Sequence, residues 1–316
     1  MPERKSKIAI IGAGSVGATI AYACMIRGVG KSIALYDVNK QKVEAEVLDL
    51  NHGLQFVPMA NVEGSDDLNI CADSDVIIVT AGAKQKPGQT RMDLAGANAE
   101  ICRQLIPKLV QLAPDAVLLM VTNPVDVITY VALKLSGQPR GRVFGSGTVL
   151  DSSRFRFLIA KRLNVAVQNV HGYIAGEHGD SEIPLWSSAS IANIPLHEWA
   201  VQHHGKLTVR DRTEIFQNVK TAAYQIIQGK GATNYAIGLA TARILEAVLH
   251  DENRVLPVSS LLDNYQGISD VCLSVPSIVN RGGVEATLDI PLNENELAGL
   301  KNSADIIRQA IRALGF

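Results

Sequence analysis

Short apolar runs alternate with helix-length stretches through the first half of the chain, and this alternation restricts the fold more than any other feature. The apolar runs predict strands at Lys7–Ile11, Ser32–Asp37, Asp75–Thr80, Ala116–Thr122 and Arg142–Ser146. Helical sequence separates them at Gly14–Arg27, at Lys40–Asn51 and from about Met92 to Leu112. Because continuously apolar strands are buried on both faces and are joined by crossover helices, the pattern predicts an α/β fold with a doubly wound parallel sheet.

The second half of the chain follows a different pattern, which begins at about Gly147. Helical sequence runs from about Val209 to Leu249 with a break near Gly229–Gly231, and β-like runs follow at Val255–Leu261, Ser269–Val275 and Val284–Leu288. An amphipathic helix ends the chain, and Asn293 with Glu296 forms a capping box at its start. We therefore predict two domains, residues 1–146 and residues 147–316, the second a mixed α+β domain packed on the first.

Composition narrows the classes of partner. The formal net charge of −1 gives no long-range field that would attract nucleic acid or an anionic membrane. No apolar run approaches the roughly 18–20 residues that span a bilayer, and glycines interrupt the apolar stretch that follows the N-terminus. We expect neither nucleic-acid nor membrane partners, and no metal site. The cysteines are far apart among apolar neighbours, which favours free thiols in a reducing cytoplasm; they are Cys24, Cys71, Cys102 and Cys272.

A glycine-rich turn follows the first predicted strand and opens the first predicted helix. Its sequence is Gly12-Ala13-Gly14-Ser15-Val16-Gly17. In such a turn Gly12 permits the tight bend, Gly14 lets the backbone approach a pyrophosphate, and Gly17 allows the helix to pack closely on the strand. The N-terminus of the helix then offers free N–H groups to the phosphates, here together with Ser15 and Val16. The turn predicts a dinucleotide site in a Rossmann sheet.

An acidic residue ends the second predicted strand, twenty residues after the last glycine of the turn. This residue is Asp37. A carboxylate at that place accepts hydrogen bonds from the ribose hydroxyls and repels the 2′-phosphate of NADP. The sequence therefore predicts NAD, rather than NADP, as the cofactor.

Four further segments carry the polar groups that reduction of a 2-keto acid requires. Residues 81–91 and 121–126 follow predicted strands, residues 150–154 begin a helix, and residues 176–180 set a histidine between glycines. The reduction needs a proton donor at the carbonyl oxygen, a cation for the carboxylate and a group that polarises the carbonyl. These segments contain candidates for all three.

In order and spacing these segments, with the glycine turn, resemble the lactate/malate dehydrogenase family over essentially the whole chain. The resemblance implies that residues 147–316 form the substrate domain and that a cis peptide joins Asn123 to Pro124. It also implies residue roles: His178 as proton donor, Asp151 as its carboxylate partner, Arg154 as the cation for the substrate carboxylate, Arg91 as a lid arginine that polarises the carbonyl, Asn123 beside the carbonyl and the nicotinamide, and Thr233 lining the substrate pocket.

The preferred acid depends on Gln85, which stands where the resemblance places the specificity residue. Family members that act on malate have an arginine there, which pairs with the second carboxylate of oxaloacetate. A neutral amide offers no such partner, so the resemblance implies pyruvate and L-lactate as substrates. The alternatives are larger 2-hydroxy acids, malate, or an NAD-binding protein without catalysis.

The resemblance also suggests regulation and assembly. Allosteric bacterial members of the family bind fructose 1,6-bisphosphate between subunits through an arginine and a histidine that match Arg156 and His171. Arg156 lies two residues after Arg154 on one predicted helix, so their side chains point in nearly opposite directions. We expect Arg156 to face away from the substrate pocket, and the resemblance further implies a homotetramer.

Overall fold

The strand–helix units of the first half form six parallel strands in the spatial order β3-β2-β1-β4-β5-β6. The structure is a computed structural model of the chain that describes residues 6–83, 91–202 and 207–316. Its first half consists of β1 (Lys7–Ile11), α1 (Ser15–Arg27), β2 (Ser32–Tyr36), α2 (Lys40–His52), β3 (Asn61–Ser65), β4 (Val76–Val79), α3 (Arg91–Leu112), β5 (Val117–Met120), α4 (Val125–Ser136) and β6 (Val143–Gly145). The strand order reverses between β1 and β4, where doubly wound sheets bind ligands.

The sequence prediction of the parallel sheet is confirmed, with one strand missed. Strand β3 lies at the edge of the sheet, and only Val62 is buried within it. An edge strand that is half exposed needs no continuous apolar run, so Asn61–Ser65 gave no strand signal.

Helices cover both faces of the sheet. On one face, α1 contributes Ile20 and Cys24 to the core. On the other, α3 and α4 contribute Ile106 and Ile128. The central strands β4 and β5 are apolar throughout because both faces of the sheet are covered in this way.

The second half begins with helix α5 and ends with helix α9. It consists of α5 (Val149–Leu163), β7 (Val170–His171), β8 (Ile174–Ala175), β9 (Ile183–Pro184), β10 (Ser190–Ile191), β11 (Ile194–Pro195), α6 (Leu196–Gln202), α7 (Val209–Lys230), α8 (Tyr235–Leu249), β12 (Arg254–Leu262), β13 (Val271–Asn280), β14 (Gly283–Thr287) and α9 (Glu294–Ala313). The predicted helix break is confirmed, since α7 ends at Lys230 and its C-cap residue, Gly231, has a φ of 85°. The capping box of Asn293 and Glu296 is also present.

The two halves share one sheet. Strands β12, β13 and β14 are antiparallel, and β12 joins the parallel strands where Ser259 pairs with Gly145 of β6. Helix α8 packs beside α1, and its Leu245 lies in the core of the first half. The result within the described residues is a nine-stranded sheet that crosses from one half into the other. Within the described residues, each helix is either too short or too polar to span a bilayer.

Candidate active site

The glycine turn lies between β1 and α1 with the geometry that its sequence predicts. Gly12 has a φ of 104°, and a Cβ at this position would lie 2.9 Å from Oγ1 of Thr80. A Cβ on Gly17 would lie 1.9 Å from the carbonyl oxygen of Gly12. Neither position can therefore accept a side chain. At Gly12 both the positive φ and the nearby Thr80 exclude one, and at Gly17 the carbonyl oxygen of Gly12 does so.

Gly14 differs from these two glycines because a side chain there would meet almost no protein. A Cβ on Gly14 would have only Nζ of Lys42 near it, at 3.8 Å, and the φ of Gly14 is −78°. Gly14 is the N-cap of α1, no side chain caps the helix, and its first turn contains no acidic residue. Open space before a helix N-terminus with this lack of negative charge fits a dinucleotide phosphate group.

Asp37 follows β2 and lies beside the glycine turn. Its Oδ2 accepts a hydrogen bond from the N–H of Ala13 at 2.8 Å, and its Oδ1 accepts one from the N–H of Asn39 at 3.0 Å. The side chain is therefore fixed against the turn as well as placed where the sequence predicts a ribose contact. The bond to Ala13 was not foreseen from the sequence.

A cavity of about 250 Å³ lies at the carboxyl ends of the central strands. Four of the predicted functional residues line it together with Val16 of the glycine turn: Asn123, Arg154, His178 and Thr233. They come from four separate regions, namely the loop after β5, helix α5, the loop after β8 and the turn between α7 and α8. Apolar side chains of α7 and α8, Ile227 and Ile237, complete its wall.

Asp151 joins two of these residues. Nδ1 of His178 lies 2.5 Å from Oδ2 of Asp151, and Nη1 of Arg154 donates to Oδ1 of the same carboxylate at 2.6 Å. Asp151 lies in the first turn of α5, three residues before Arg154, so the ion pair joins neighbours on one side of that helix. Asp151 is buried, and each of its oxygens has a donor.

The charges of this cluster set its protonation. Burial alone would lower the pKa of His178, but the adjacent carboxylate of Asp151 outweighs burial and raises the pKa to about 9. For Asp151 burial acts in the opposite direction and would raise the pKa, but the charges of His178 and Arg154 hold that pKa below its usual value. At neutral pH the site thus contains an imidazolium beside a carboxylate, and it can deliver a proton from the second ring nitrogen.

Asn123 is held in place by a residue that the sequence reasoning missed. The amide of Asn98 donates to the carbonyl oxygen of Asn123 at 2.6 Å, and its Oδ1 accepts from the N–H of Ala83 at 2.7 Å. Asn98 is buried on the side of α3 that otherwise consists of apolar residues. A polar residue on this apolar face was the one sequence feature that could have indicated its role. The Asn123–Pro124 peptide is cis, as the resemblance implied.

Two predicted residues cannot be placed in the site. Gln85 lies outside the described residues, as does most of the predicted lid at 81–91. The backbone of Arg91 begins α3, but its side chain is not among those described.

Arg156 and His171 lie near each other in the chain's fold and apart from the pocket residues. Nε of Arg156 donates to the carbonyl oxygen of Gly172 at 2.8 Å, and the guanidinium stacks over the ring of Tyr173. His171 is exposed on β7, next to Gly172. The different directions of Arg154 and Arg156 agree with the expectation from helix geometry.

Two buried acids near His178 were also missed as site residues. Asp126 accepts a hydrogen bond from the backbone N–H of His178, and Glu182 lies four residues after His178. Burial, with the negative charge of Asp151, raises the pKa of Glu182 to about 8. Asp126 ends the segment 121–126, and Glu182 lies two residues after the segment 176–180, but nothing in the sequence showed that these acids are buried.

Comparisons with known proteins agree with this arrangement. The NAD-binding domain of lactate/malate dehydrogenase matches residues 6–145, and the alpha/beta C-terminal domain of the same enzymes matches residues 148–314. The chain is 54% identical over 316 residues to an L-lactate dehydrogenase of Bifidobacterium animalis subsp. lactis, covering 100% of this chain and 99% of that protein. It is 48% identical over 309 residues to an L-lactate dehydrogenase of Acetivibrio thermocellus, covering 98% of this chain and 97% of that protein. The solved structure of a minor L-lactate dehydrogenase from Enterococcus mundtii, in a ligands-bound form, has a TM-score of 0.95 and 40% identity over 98% of this chain and 99% of that chain.

Proposed function

The chain belongs to the lactate/malate dehydrogenase family and is an NAD-dependent oxidoreductase, and from that premise we propose that it interconverts pyruvate and L-lactate with His178 as the proton donor. The observation that carries the proposal is the contact between His178 and the buried carboxylate of Asp151 in a cavity beside the dinucleotide turn. An imidazolium stabilised in this way is a matched acid for a carbonyl oxygen.

The cluster and Arg91 have defined roles in this reaction. Bound NADH supplies the hydride to the carbonyl carbon. His178 gives the proton on Nε2 to the carbonyl oxygen, and Asp151 keeps the ring oriented through Nδ1 and favours its charged form. Arg154 binds the substrate carboxylate, and Arg91 polarises the carbonyl. In the reverse direction, neutral His178 accepts the proton of the hydroxyl group.

Pyruvate is the proposed substrate because the site supplies a cation for one carboxylate and Gln85 is neutral. Oxaloacetate would bring a second carboxylate without a partner, and burying that charge costs several kcal/mol. Thr233, Ile227 and Ile237 line the cavity, and this small polar residue beside two apolar side chains suits a short apolar side chain on the substrate.

The proposal is tested with a substrate panel. Pyruvate, oxaloacetate, 2-oxobutyrate and 2-oxoisocaproate are each assayed with NADH, and kcat/KM is compared. We expect pyruvate to be preferred, and Gln85→Arg to shift the ratio of kcat/KM towards oxaloacetate by supplying the missing cation. A preference for 2-oxoisocaproate would favour a dehydrogenase of larger 2-hydroxy acids. Binding of NADH without any turnover would favour a non-catalytic protein.

We further propose that fructose 1,6-bisphosphate activates the enzyme at Arg156 and His171. The proposal is supported by the half-buried Arg156, whose guanidinium donates to the carbonyl oxygen of Gly172 beside the exposed His171, so that a guanidinium and an imidazole can both donate hydrogen bonds to a phosphate. Pyruvate saturation is measured with and without millimolar fructose 1,6-bisphosphate. A fall in apparent KM that Arg156→Gln abolishes would support the site, whereas superimposable curves from pH 6 to 8 would exclude it.

Assembly, location and domain division complete the proposal. We propose that the protein forms a homotetramer. Large apolar side chains exposed on α1 and α8, including Tyr22, Ile26 and Leu239, support this assembly. The molar mass measured by light scattering would test it. Four free, buried cysteines support a cytoplasmic location. The matched ranges 6–145 and 148–314 support a dinucleotide-binding domain at 1–146 and a substrate domain at 147–316.

A further inference from the structure

A chain of hydrogen bonds joins the wall of the substrate cavity to the helix that begins at the dinucleotide turn. Asn234 lies between α7 and α8, next to Thr233 of the cavity. Its Nδ2 donates to Oγ1 of Thr19 on α1 at 3.0 Å, and its Oδ1 accepts from Nζ of Lys230, the last residue of α7, at 2.5 Å. Oγ1 of Thr19 in turn donates to the carbonyl oxygen of Ser15, the first residue of α1, at 2.6 Å. Three helices are therefore connected through the side chain of one half-buried asparagine.

The direction of every bond in this chain is determined. An ammonium group can only donate, so the oxygen of the Asn234 amide faces Lys230 and its NH₂ group faces Thr19. The hydroxyl of Thr19 accepts that bond and directs its own proton to the carbonyl oxygen of Ser15, which can only accept. Asn234 and Thr19 thus each accept one bond and donate the next, an arrangement in which the bonds strengthen one another.

Asn234 does not cap its own helix. It is the N-cap residue of α8, a position where an asparagine side chain usually accepts a bond from an N–H of the first helical turn. Its side chain makes no such bond here and is directed to α1 and α7 instead. Because an unused cap leaves the start of α8 without that stabilisation, the asparagine serves the junction of the three helices.

Helices α1 and α8 also approach each other closely at Thr19. A Cβ on Gly238, one turn after Asn234, would lie 2.7 Å from Cγ2 of Thr19 and 3.0 Å from its carbonyl oxygen. Towards the other ends of the same helices, Nε and Nη2 of Arg27 donate to the two carboxylate oxygens of Glu246 at 2.6 and 2.9 Å. The two helices are held together near both ends, so a displacement of α1 moves α8 with it.

We propose that Thr19 and Asn234 are a pair of positioning residues that fix the wall of the substrate cavity on the cofactor helix, so that bound dinucleotide and bound substrate stabilise each other through this bond. The proposal rests on the proposed pyruvate site. Neither side chain lines the cavity, so both act through their neighbours Thr233 and Ile237, which do. When a dinucleotide fixes the start of α1, the chain of bonds fixes the turn that carries Thr233.

The test measures how strongly the two ligands favour each other's binding. The Kd for NADH is determined by fluorescence with NADH alone and with saturating oxamate, an unreactive isosteric analogue of pyruvate, and the ratio of the two values is the coupling factor. Thr19→Val replaces the hydroxyl by a methyl group, and Asn234→Ala removes the amide. Since one hydrogen bond is lost, we expect the coupling factor to fall about fivefold in each variant, while the Kd for NADH alone stays within about twofold. The KM for pyruvate should rise by the same factor with little change in kcat.

The double variant shows whether the two residues act through one bond. If they do, Thr19→Val combined with Asn234→Ala lowers the coupling factor no further than either change alone. A fall of about 25-fold, the product of two independent effects, would overturn the proposal. Thr19→Ser keeps the hydroxyl and should retain most of the coupling. Loss of coupling in Thr19→Ser would assign the effect to packing and would likewise overturn the proposal.

Thr221→Val is the matched control. The hydroxyl of Thr221 makes the same pair of bonds within α7, since it donates to the carbonyl oxygen of Gln217 at 2.9 Å and accepts from the amide of Gln225 at 3.4 Å. An equal fall in Thr221→Val, or unchanged coupling in Thr19→Val, would overturn the proposal, as would an unmodified chain in which oxamate does not tighten NADH binding. If the unmodified chain binds NADH without reducing pyruvate, the proposed function fails, whereas the coupling of NADH and oxamate needs no turnover and still decides the role of Asn234.

Discussion

Nδ1 of His178 lies 2.5 Å from Oδ2 of Asp151, whose other oxygen accepts a bond from Arg154. A single buried carboxylate therefore holds both the proposed proton donor and the proposed cation for the substrate carboxylate. Loss of its charge should affect proton transfer and substrate binding together, whereas loss of the histidine should affect mainly proton transfer.

Kinetics of two variants test this relationship. We expect His178→Gln to lower kcat for pyruvate reduction by about 10²–10⁴-fold, because no matched acid remains at the carbonyl oxygen. We expect Asp151→Asn to lower kcat and also to raise KM for pyruvate, because Arg154 loses its partner. NADH affinity, measured by fluorescence, should stay near normal in both variants. A near-normal kcat in His178→Gln would refute the assignment.

The pKa of His178 predicts a pH dependence. Because the folded-state pKa is about 9, pyruvate reduction should decline as pH rises through about 9, where the ring loses the proton it must donate. In Asp151→Asn the decline should begin at lower pH, since the charge that raises the pKa is gone. Profiles of kcat/KM from pH 6 to 10 measure both, and identical profiles would mean that another group controls the alkaline decline.

Two glycines of the dinucleotide turn should respond differently to alanine. In Gly17→Ala the new Cβ would meet the carbonyl oxygen of Gly12 at 1.9 Å, so we expect a loss of at least about 2 kcal/mol of stability. In Gly14→Ala the new methyl group meets open space, so the melting temperature should change little. That methyl group would occupy the proposed phosphate space, and the Kd for NADH should rise about tenfold, or about 1.4 kcal/mol. Calorimetry and NADH titration distinguish the two effects, and a Gly14→Ala protein with normal NADH affinity would place the phosphates elsewhere.

Asp37 should determine the preference between NADH and NADPH. The unmodified chain is expected to prefer NADH strongly, because the carboxylate repels a 2′-phosphate. Asp37→Ser should narrow the difference in kcat/KM between the two cofactors. Since the bond to the N–H of Ala13 is also lost, NADH affinity should fall as well. Equal use of both cofactors by the unmodified chain would contradict the prediction.

Glu182 should make the protein less stable as pH rises. Its folded-state pKa is about 8 against an ordinary value of 4.5, because burial and the charge of Asp151 disfavour ionisation. Between these values the folded state holds a proton that the unfolded state releases, so stability falls with increasing pH. Glu182→Gln should remove this decline, and its melting temperature relative to the unmodified chain should be higher at pH 8 than at pH 5.

Glu44→Gln is the control, since it makes the same replacement of a carboxyl by an amide at an exposed position on α2. Its melting temperature relative to the unmodified chain should be the same at both pH values. An equal offset at pH 5 and pH 8 for Glu182→Gln would show that Glu182 is not held protonated.

The features that could be predicted from the sequence are those that depend on residues close together in the chain. The glycine turn was readable because tight turns demand glycine, and the parallel sheet because its strands are buried on both faces. Asp151 and His178 were assigned through family motifs, but their contact joins residues 27 positions apart, which no local pattern specifies. Strand β3 was missed because an edge strand lacks a continuous apolar run.

The roles of Asn98, Asp126 and Glu182 were not predicted for a common physical reason. Asn98 and Asp126 are polar groups whose roles depend on backbone atoms brought to them from distant segments. A sequence shows the donor or the acceptor of such a bond but not its partner. Burial of Glu182 is likewise a property of the packed loop and not of its own neighbours in the chain.

The continuity of the sheet bears on how such a protein can be recombined. Ser259 pairs with Gly145 and also donates to Asp126, while Leu245 of α8 fills the core of the first half. The two halves are consequently not interchangeable modules, because each supplies surfaces that complete the other. A chimaera that joins residues 1–146 to the second half of a relative should fold well only under two conditions. The relative has to provide a small hydroxyl residue at the position of Ser259, and its α8 has to match the shape of the core that Leu245 fills.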